Sequence, residues 1–488
     1  MAKTVAVIDI GSNSARMVVY EKTSRFAFHL LHEAKSKVRI SQNAYQNGGN
    51  LQEVPMQRTF DALSDFLNIA QSYKARKILC IATSALRDAP NKKIFINRVQ
   101  KELGLGIKVI DGQKEAYYGG IACANLLANQ ENAMSIDIGG GSTEFSIINN
   151  KDVSNTLSLE LGTVRLKELF FDKDDREGAI AYIDQQLHVL DTLTPMTLIG
   201  IGGTFRAIAT AIMNKTKHPL NKLNGFECDV ALFEEYLRNI LDADAPKLKK
   251  IGIDADRFDI IKPGALILQR VLNKLNVQNL IASGVGVREG VYLCDLLRNS
   301  QHKFPQNYNP SLRYLLDSYL QDSTYSNQLA LVSKRIFDLT HEHLGIDPSL
   351  RFELGVAAKL YPIGTNIHFY SKNKHSYYLI QSALEYGYTH SQILIIATLA
   401  RYAKRKLPST THVKRYKILL PETKTLKALS YILSVAISLL SHRPRNVDFE
   451  LGFDKGTLVV NAKSSMYLSK DALMKLDKIK ELKVSFSS

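Results

Sequence analysis

The sequence predicts an α/β protein: two α/β domains built on one plan, followed by an α-helical domain with a small α+β tail. Three observations lead there. The string IDIGSNSARMVV (Ile8–Val19) returns as IDIGGGSTEFSI (Ile136–Ile147), so Asp9 and Asp137 head matching turns. Further strand-turn-helix patterns follow each copy. After about Pro305 the apolar spacing changes from alternation to the helical period. A chain of 488 residues has room for about three domains, placed at 1–128, 129–303 and 304–441, with the tail at 442–488.

The elements follow in order. Residues 3–20 read as strand, tight turn and strand, and Lys77–Ala82 (KILCIA) as a further strand. TSALRDAPNKKIFINRVQKEL begins with Thr83 or Ser84 as a helix cap. Ile107–Ile110 is a short strand entering the helix DGQKEAYYGGIACANLLA. Residues 133–138 and 143–148 repeat the opening hairpin. Thr197–Ile201 and Asn279–Ala282 are strands, each running through a glycine turn into a helix (GIGGTFRAIATAIM and SGVGVREGVYLCDLL). Amphipathic helices then dominate to about Ser441. VDFELGF and GTLVVNA alternate as a hairpin, followed by a helix.

Composition is that of a globular protein, 45% hydrophobic and 23% charged. The longest late apolar stretch, Leu429–Leu440, is too short to span a bilayer and carries serines. Asp9 interrupts the first apolar run, and no small-residue cleavage site follows, so a secretory leader is not expected. The four cysteines lie far apart without metal spacing, which fits reduced thiols and a cytoplasmic location. Net charge is +16, and residues 301–488 hold 26 Lys+Arg against 14 Asp+Glu. Seven basic and no acidic residues lie between Arg401 and Lys417. This bias favours an anionic ligand, or merely a solvated basic face. No nucleic-acid module is visible, and neither a nucleic-acid nor a membrane partner is expected.

A glycine turn between strands lets consecutive backbone N–H groups point at one anion. Gly11, Ser12, Asn13 and Ser14 form one such turn, and Arg16 can supply a bidentate fork. Gly139, Gly140, Gly141, Ser142 and Thr143 form the second. Asp9 and Asp137 would repel bound phosphate unless a divalent cation lay between, and the hard oxygen setting points to Mg²⁺. Asp9 is also readable as a cap for its turn's own amides. Glu115, at a helix start, is a first-turn carboxylate that becomes a general-base candidate opposite a phosphate. Glu144 follows the second turn directly. Thr83, Ser84 and Arg87 form a further anion site at another helix start.

In this order, IDIGSNSARMVV, ATSALRDAPN, DGQKEA, SIDIGGGSTEFS, SLELGTVRLKE, IGGTFRAIA and VREG resemble the exopolyphosphatase/guanosine pentaphosphate phosphatase (Ppx/GppA) family over nearly the whole chain. The resemblance implies duplicated actin-like ATPase (ribonuclease H-like, ASKHA) domains used for phosphoanhydride hydrolysis. It carries the base to Glu115, and metal and water roles to Asp137 and Glu144. Phosphate holding is carried to Gly11–Ser14, Arg16, Arg87 and Gly139–Thr143. It also implies a homodimer. Two departures stand out. Lys114 takes the place of an acid before Glu115, and Ala357–Pro362 lacks the His-Asp pair that longer, HD-like members carry in the helical domain. His368 and His375, and His341-Glu342-His343, read as structural.

The expected activity is therefore Mg²⁺-dependent release of terminal orthophosphate from polyphosphate, from the 5′-triphosphate of guanosine pentaphosphate, or from both. Two other readings share the phosphate loops. An ASKHA-type small-molecule kinase would need an adenosine pocket near GIGGTFRA, where Phe205 and Arg206 look bulky. A non-catalytic sensor of guanosine tetra- or pentaphosphate would bind without turnover.

Overall fold

The apolar alternation of the opening residues builds a hairpin of β1 (Thr4–Ile10) and β2 (Ala15–Lys22), and β3 (Phe28–Ser36) pairs antiparallel to its outer edge. On the other side β1 pairs parallel with β4 (Lys77–Ala82), and β4 with β5 (Lys108–Val109), giving the order β3-β2-β1-β4-β5. This is a computed structural model, and it describes residues 3–487. The second sheet repeats the plan. β6 (Ala133–Ile138), β7 (Thr143–Asn149) and β8 (Asp152–Leu159) form the antiparallel set. Parallel β9 (Thr197–Ile201) and β11 (Asn279–Ala282) follow, and β10 (Phe226–Cys228) closes the edge in the order β10-β11-β9-β6-β7-β8.

Each sheet has its own core. Ile8, Met17, Leu63, Phe66 and Phe95 fill the first, and Ile136, Phe145, Phe205, Phe233 and Leu268 the second. Helix Gly112–Leu126 lies on β7 and β8, and helix Val287–Leu296 packs on it and on β1, joining the two lobes. The crossing is so close that a Cβ on Gly290 would lie 1.9 Å from the Tyr118 carbonyl oxygen. Glycine is required there for packing, not for turning.

The segment after β4 departs from a single capped helix. Ser84–Arg87 makes one turn, Pro90 interrupts, and Lys92–Leu103 forms the long helix. Proline lacks the N–H and clashes with the preceding turn, so a helix cannot run through it. Neither Thr83 nor Ser84 makes a side-chain cap hydrogen bond at that start; Thr83 is the residue at the N-cap position.

The chain divides into two compact units at Tyr308/Asn309. The second contains the helices Pro310–Tyr319, Thr324–Leu344, Arg351–Leu360, Lys372–Ala383, His390–Tyr402 and Thr423–Leu439. Ile336, Phe337, Leu354, Ile393, Leu399 and Ile432 fill its core. Thr389 starts one helix with a capping box to Gln392, satisfying two end amides reciprocally. The tail is a sheet of β12 (Phe449–Asp454), β13 (Thr457–Ala462) and β14 (Lys483–Phe486) with helix Tyr467–Met474. His442 ties it on, binding Asp448 through Nε2 at 2.9 Å and meeting Ser469 Oγ at 3.1 Å.

Among the described residues no three His, Cys, Asp or Glu side chains converge as a metal set. His341 stacks on Phe337 of its own helix, whereas His343 reaches the Glu481 carbonyl in the tail. The rings of His368 and His375 sit 6.4 Å apart, edge to face.

Candidate active site

The two hairpins end in turns of one design. Gly11 N donates to Ser14 O, and Gly139 N to Ser142 O. The turns face each other across the gap between the lobes. A Cβ on Gly140 would stand 2.7 Å from Ser12 Cβ, and Ser12 Oγ meets Ser84 Oγ at 3.0 Å. One cleft is therefore lined by Gly11–Ser14, Arg16, Thr83, Ser84, Gly139, Gly140 and Ser142, together with Asp9, Asp137, Glu115 and Glu144.

Register determines where the charges fall. Asp9 lies opposite Arg16 in the first hairpin, and Asp137 lies opposite Glu144 in the second. Directly paired residues project to the same face of a sheet. The first copy thus offers an acid and a base, the second two acids.

These acids sit in surroundings that disfavour ionisation. Burial pushes the Asp9 carboxyl up to about 6, against the pull of Arg288 and Arg16. Among the described residues its Oδ1 has no hydrogen-bond partner. Burial also raises Asp137, with Arg206, Arg16 and Arg288 opposing. Glu144 is pushed up to about 8 by burial, and the Asp137 charge adds to this while Ser142 and Ser158 hydrogen bonds oppose. Ser158 Oγ donates to Glu144 Oε1 at 2.8 Å.

Glu115 stands in the first turn of helix Gly112–Leu126, whose N-cap Asp111 accepts from Lys114 N at 2.7 Å. Burial and the charge of Glu144 hold its carboxyl well above the usual range, with Arg87 opposing. Arg87 Nη1 donates to Glu115 Oε2 at 3.1 Å, and its Nε faces Asp88. A buried carboxyl of raised pKa, aimed into a cleft beside an arginine, suits proton abstraction near neutral pH.

Two expected phosphate ligands have other partners. The Thr143 hydroxyl donates to the Leu161 carbonyl at 2.5 Å, and the residue is fully buried. A Cβ on Gly141 would strike the Tyr45 hydroxyl and Ser84 Oγ, so this residue packs against the opposite lobe. Arg165 holds Gly141 from behind through Nε to its carbonyl at 2.9 Å, and also reaches Asp88 and Glu160 while lying over the Tyr45 ring.

The cleft also contains residues that sequence reasoning gave no role. Arg206 and Arg288, with Lys35, Lys37 and Arg257, line its walls. The signal was present for two of them, in IGGTFRA and VREG. Arg206 is half-buried and donates to the Ser283 and Val285 carbonyls, securing the loop before helix Val287–Leu296. Arg288 pairs with Glu33 at 2.7 Å. Gly202, at φ +76°, brings the start of helix Gly202–Lys215 against Asp137. A side chain there would be strained and would meet the Asp137 carboxylate.

Phe205 lies against Gly200 of β9, where a Cβ would fall 2.0 Å from its ring, rather than over the Gly202–Gly203 turn. It is buried and packs on Phe233 at 4.7 Å. Arg257 covers that turn instead: a Cβ on Gly203 would lie 2.5 Å from its Nη1. A guanidinium thus lies over the turn beside which the kinase reading needs its adenosine pocket.

Two sheets of one topology, with paired glycine turns and buried carboxylates facing one cleft, define an actin-like protein that acts on phosphoanhydrides. Residues 18–299 match the Ppx/GppA phosphatase family, and residues 310–481 match its domain III, so the chain belongs to that family. It is 28% identical to the guanosine-5′-triphosphate,3′-diphosphate pyrophosphatase of Photobacterium profundum, over 95% of this chain and 92% of the relative. For the protein of the same name in Vibrio campbellii the values are 29%, 94% and 92%. Among solved structures, a Cytophaga hutchinsonii exopolyphosphatase aligns with TM-score 0.57 at 25% identity, covering 62% of this chain and all of that one. An Aquifex aeolicus family member aligns with TM-score 0.54 at 25% identity, covering 62% of this chain and 99% of that one.

Proposed function

We propose that the chain removes the terminal phosphate of the 5′-triphosphate of guanosine pentaphosphate, and that inorganic polyphosphate is a second substrate at the same cleft. One observation carries this reading: Glu115 is buried beside Glu144 and Arg87, facing the space between the two glycine turns. The turn amides of Gly11–Ser14 and of Gly139, Gly140 and Ser142 cradle the terminal phosphates, and Arg16 compensates their charge. Glu115 takes a proton from water as its oxygen attacks the terminal phosphorus, and the bond to the bridging oxygen breaks. Glu144, steadied by Ser158, orients that water from the other side.

The acids also fit a hard divalent cation. Asp9, with an unpartnered buried oxygen, Asp137 and Glu144 are the candidate ligands, one or two of which would hold Mg²⁺, which neutralises phosphate charge when bound. No three acids converge among the described residues, so protein oxygens would supply part of the shell and phosphate and water the rest. Preference for the nucleotide is supported by relatives named for it, which match this chain through both units. A kinase reading is disfavoured by Arg257 over Gly203.

The test is phosphate release from guanosine pentaphosphate and long-chain polyphosphate side by side, with Mg²⁺ and with chelator. Release from both only with the cation is expected. Transfer to sugars from ATP without phosphate release, or tight nucleotide binding without turnover, would overturn the reading.

A further inference from the structure

The basic run noted in the sequence belongs to the second unit. Residues 354–421 contain ten Lys and Arg but a single acid, Glu385. In the second unit part of this excess gathers around exposed rings. Phe369 and Tyr370 are 59% and 74% exposed, in a short segment of 3-10 turns. Lys372 Nζ lies 5.0 Å from the Phe369 ring centroid, and Lys404 Nζ donates to the Tyr370 carbonyl at 2.9 Å. Asn373 binds the Arg401 carbonyl, which brings the loop of Lys404, Arg405 and Lys406 alongside. Among the described residues Lys372, Lys404, Arg405 and Lys406 enter no ion pair with an acid. Burial lowers the Lys372 pKa, and the neighbouring Arg443 and Lys404 charges add to that. Cations held together without an acid leave a repulsion that a bound polyanion relieves.

We propose that this surface binds single-stranded RNA, with bases stacking on Phe369 and Tyr370 and phosphates tracked by Lys372 and the 404–406 loop. Exposed rings beside a basic track are the elements of sequence-tolerant single-strand binding, and they need no recognisable module. The arrangement suits a membrane less well. Polar Thr365, Asn366 and His368 interleave with Ile367, Phe369 and Tyr370, and 3-10 turns replace the amphipathic helix that an interfacial anchor presents.

The experiment is fluorescence anisotropy of the full chain with a labelled uridine 20-mer over a salt series. Binding is expected to weaken linearly in log salt. Phe369→Ala with Tyr370→Ala should weaken it on the order of tenfold with the slope kept. Lys404→Gln with Lys406→Gln should make the slope shallower. Tyr467→Ala, an exposed ring elsewhere, and Glu115→Gln should bind as wild type. RNA affinity unchanged in the aromatic variant overturns the proposal. So does absence of RNA binding at about 100 mM salt while phosphatidylglycerol vesicles or a second copy of the chain bind through the same rings.

Discussion

Glu144 lies directly opposite Asp137 in the second hairpin, at the register position that Arg16 holds opposite Asp9 in the first. The duplicated scaffold therefore carries opposite charges at equivalent points. One hairpin can compensate phosphate, while the other concentrates acid, and burial with the added charge of Asp137 raises Glu144 to about 8. Divergence at one position turns two phosphate cradles into a site with a direction.

If Glu115 is the base, Glu115→Gln keeps the shape and removes the proton acceptor. Phosphate release should fall by roughly 10²–10⁴-fold with KM changed only a few fold. Single-turnover phosphate assays check this, and release within twofold of wild type would refute the assignment.

Arg87 opposes the raised pKa of Glu115. Its removal takes away the charge that favours the carboxylate, so Glu115 should ionise at higher pH. In Arg87→Met the acid limb of the kcat profile should move to higher pH and the maximum should drop. An unmoved limb would separate Arg87 from Glu115 electrostatically.

Carboxyls whose folded pKa exceeds the unfolded value bind more protons when folded, so stability falls as pH rises. For Glu144 the window runs from its ordinary 4.5 to about 8. Metal-free protein should therefore melt at lower temperature at pH 8 than at pH 6. Mg²⁺ should lessen that loss, and Glu144→Gln should reduce it. Thermal melts across this range decide, and a metal-free protein more stable at pH 8 would contradict the burial described.

At the helix crossing, Gly290→Ala would press a methyl into the Tyr118 backbone. Backbone cannot yield as a flexible side chain does, so a loss of about 1–3 kcal/mol is expected from overpacking. Denaturant unfolding would measure it. The same change at Gly452, where no atom lies within 4 Å, should cost far less.

Much of this was legible in the sequence because the repeated IDIG strings encode both strand alternation and turn chemistry. The missed strands were β3, β8, β10 and β14. All are sheet edges, where one side meets solvent and polar residues such as those in DVSNTLSL blur the period of two. Glu115 was readable from its place at a helix start. Arg257 and Lys37 were not, because their approach to the cleft depends on how distant segments pack. Phe205 shows the converse: bulk beside a glycine turn was visible, but its direction was set by Phe233.

The ties between the lobes bear on traffic through the cleft. Arg39 pairs with Asp259, Lys37 reaches the Asp256 carbonyl, and Arg165 spans Gly141 and Asp88. A molecule too large to thread the mouth can enter only when several of these links let go together. Opening that breaks several such ion pairs at once should become easier as ionic strength rises.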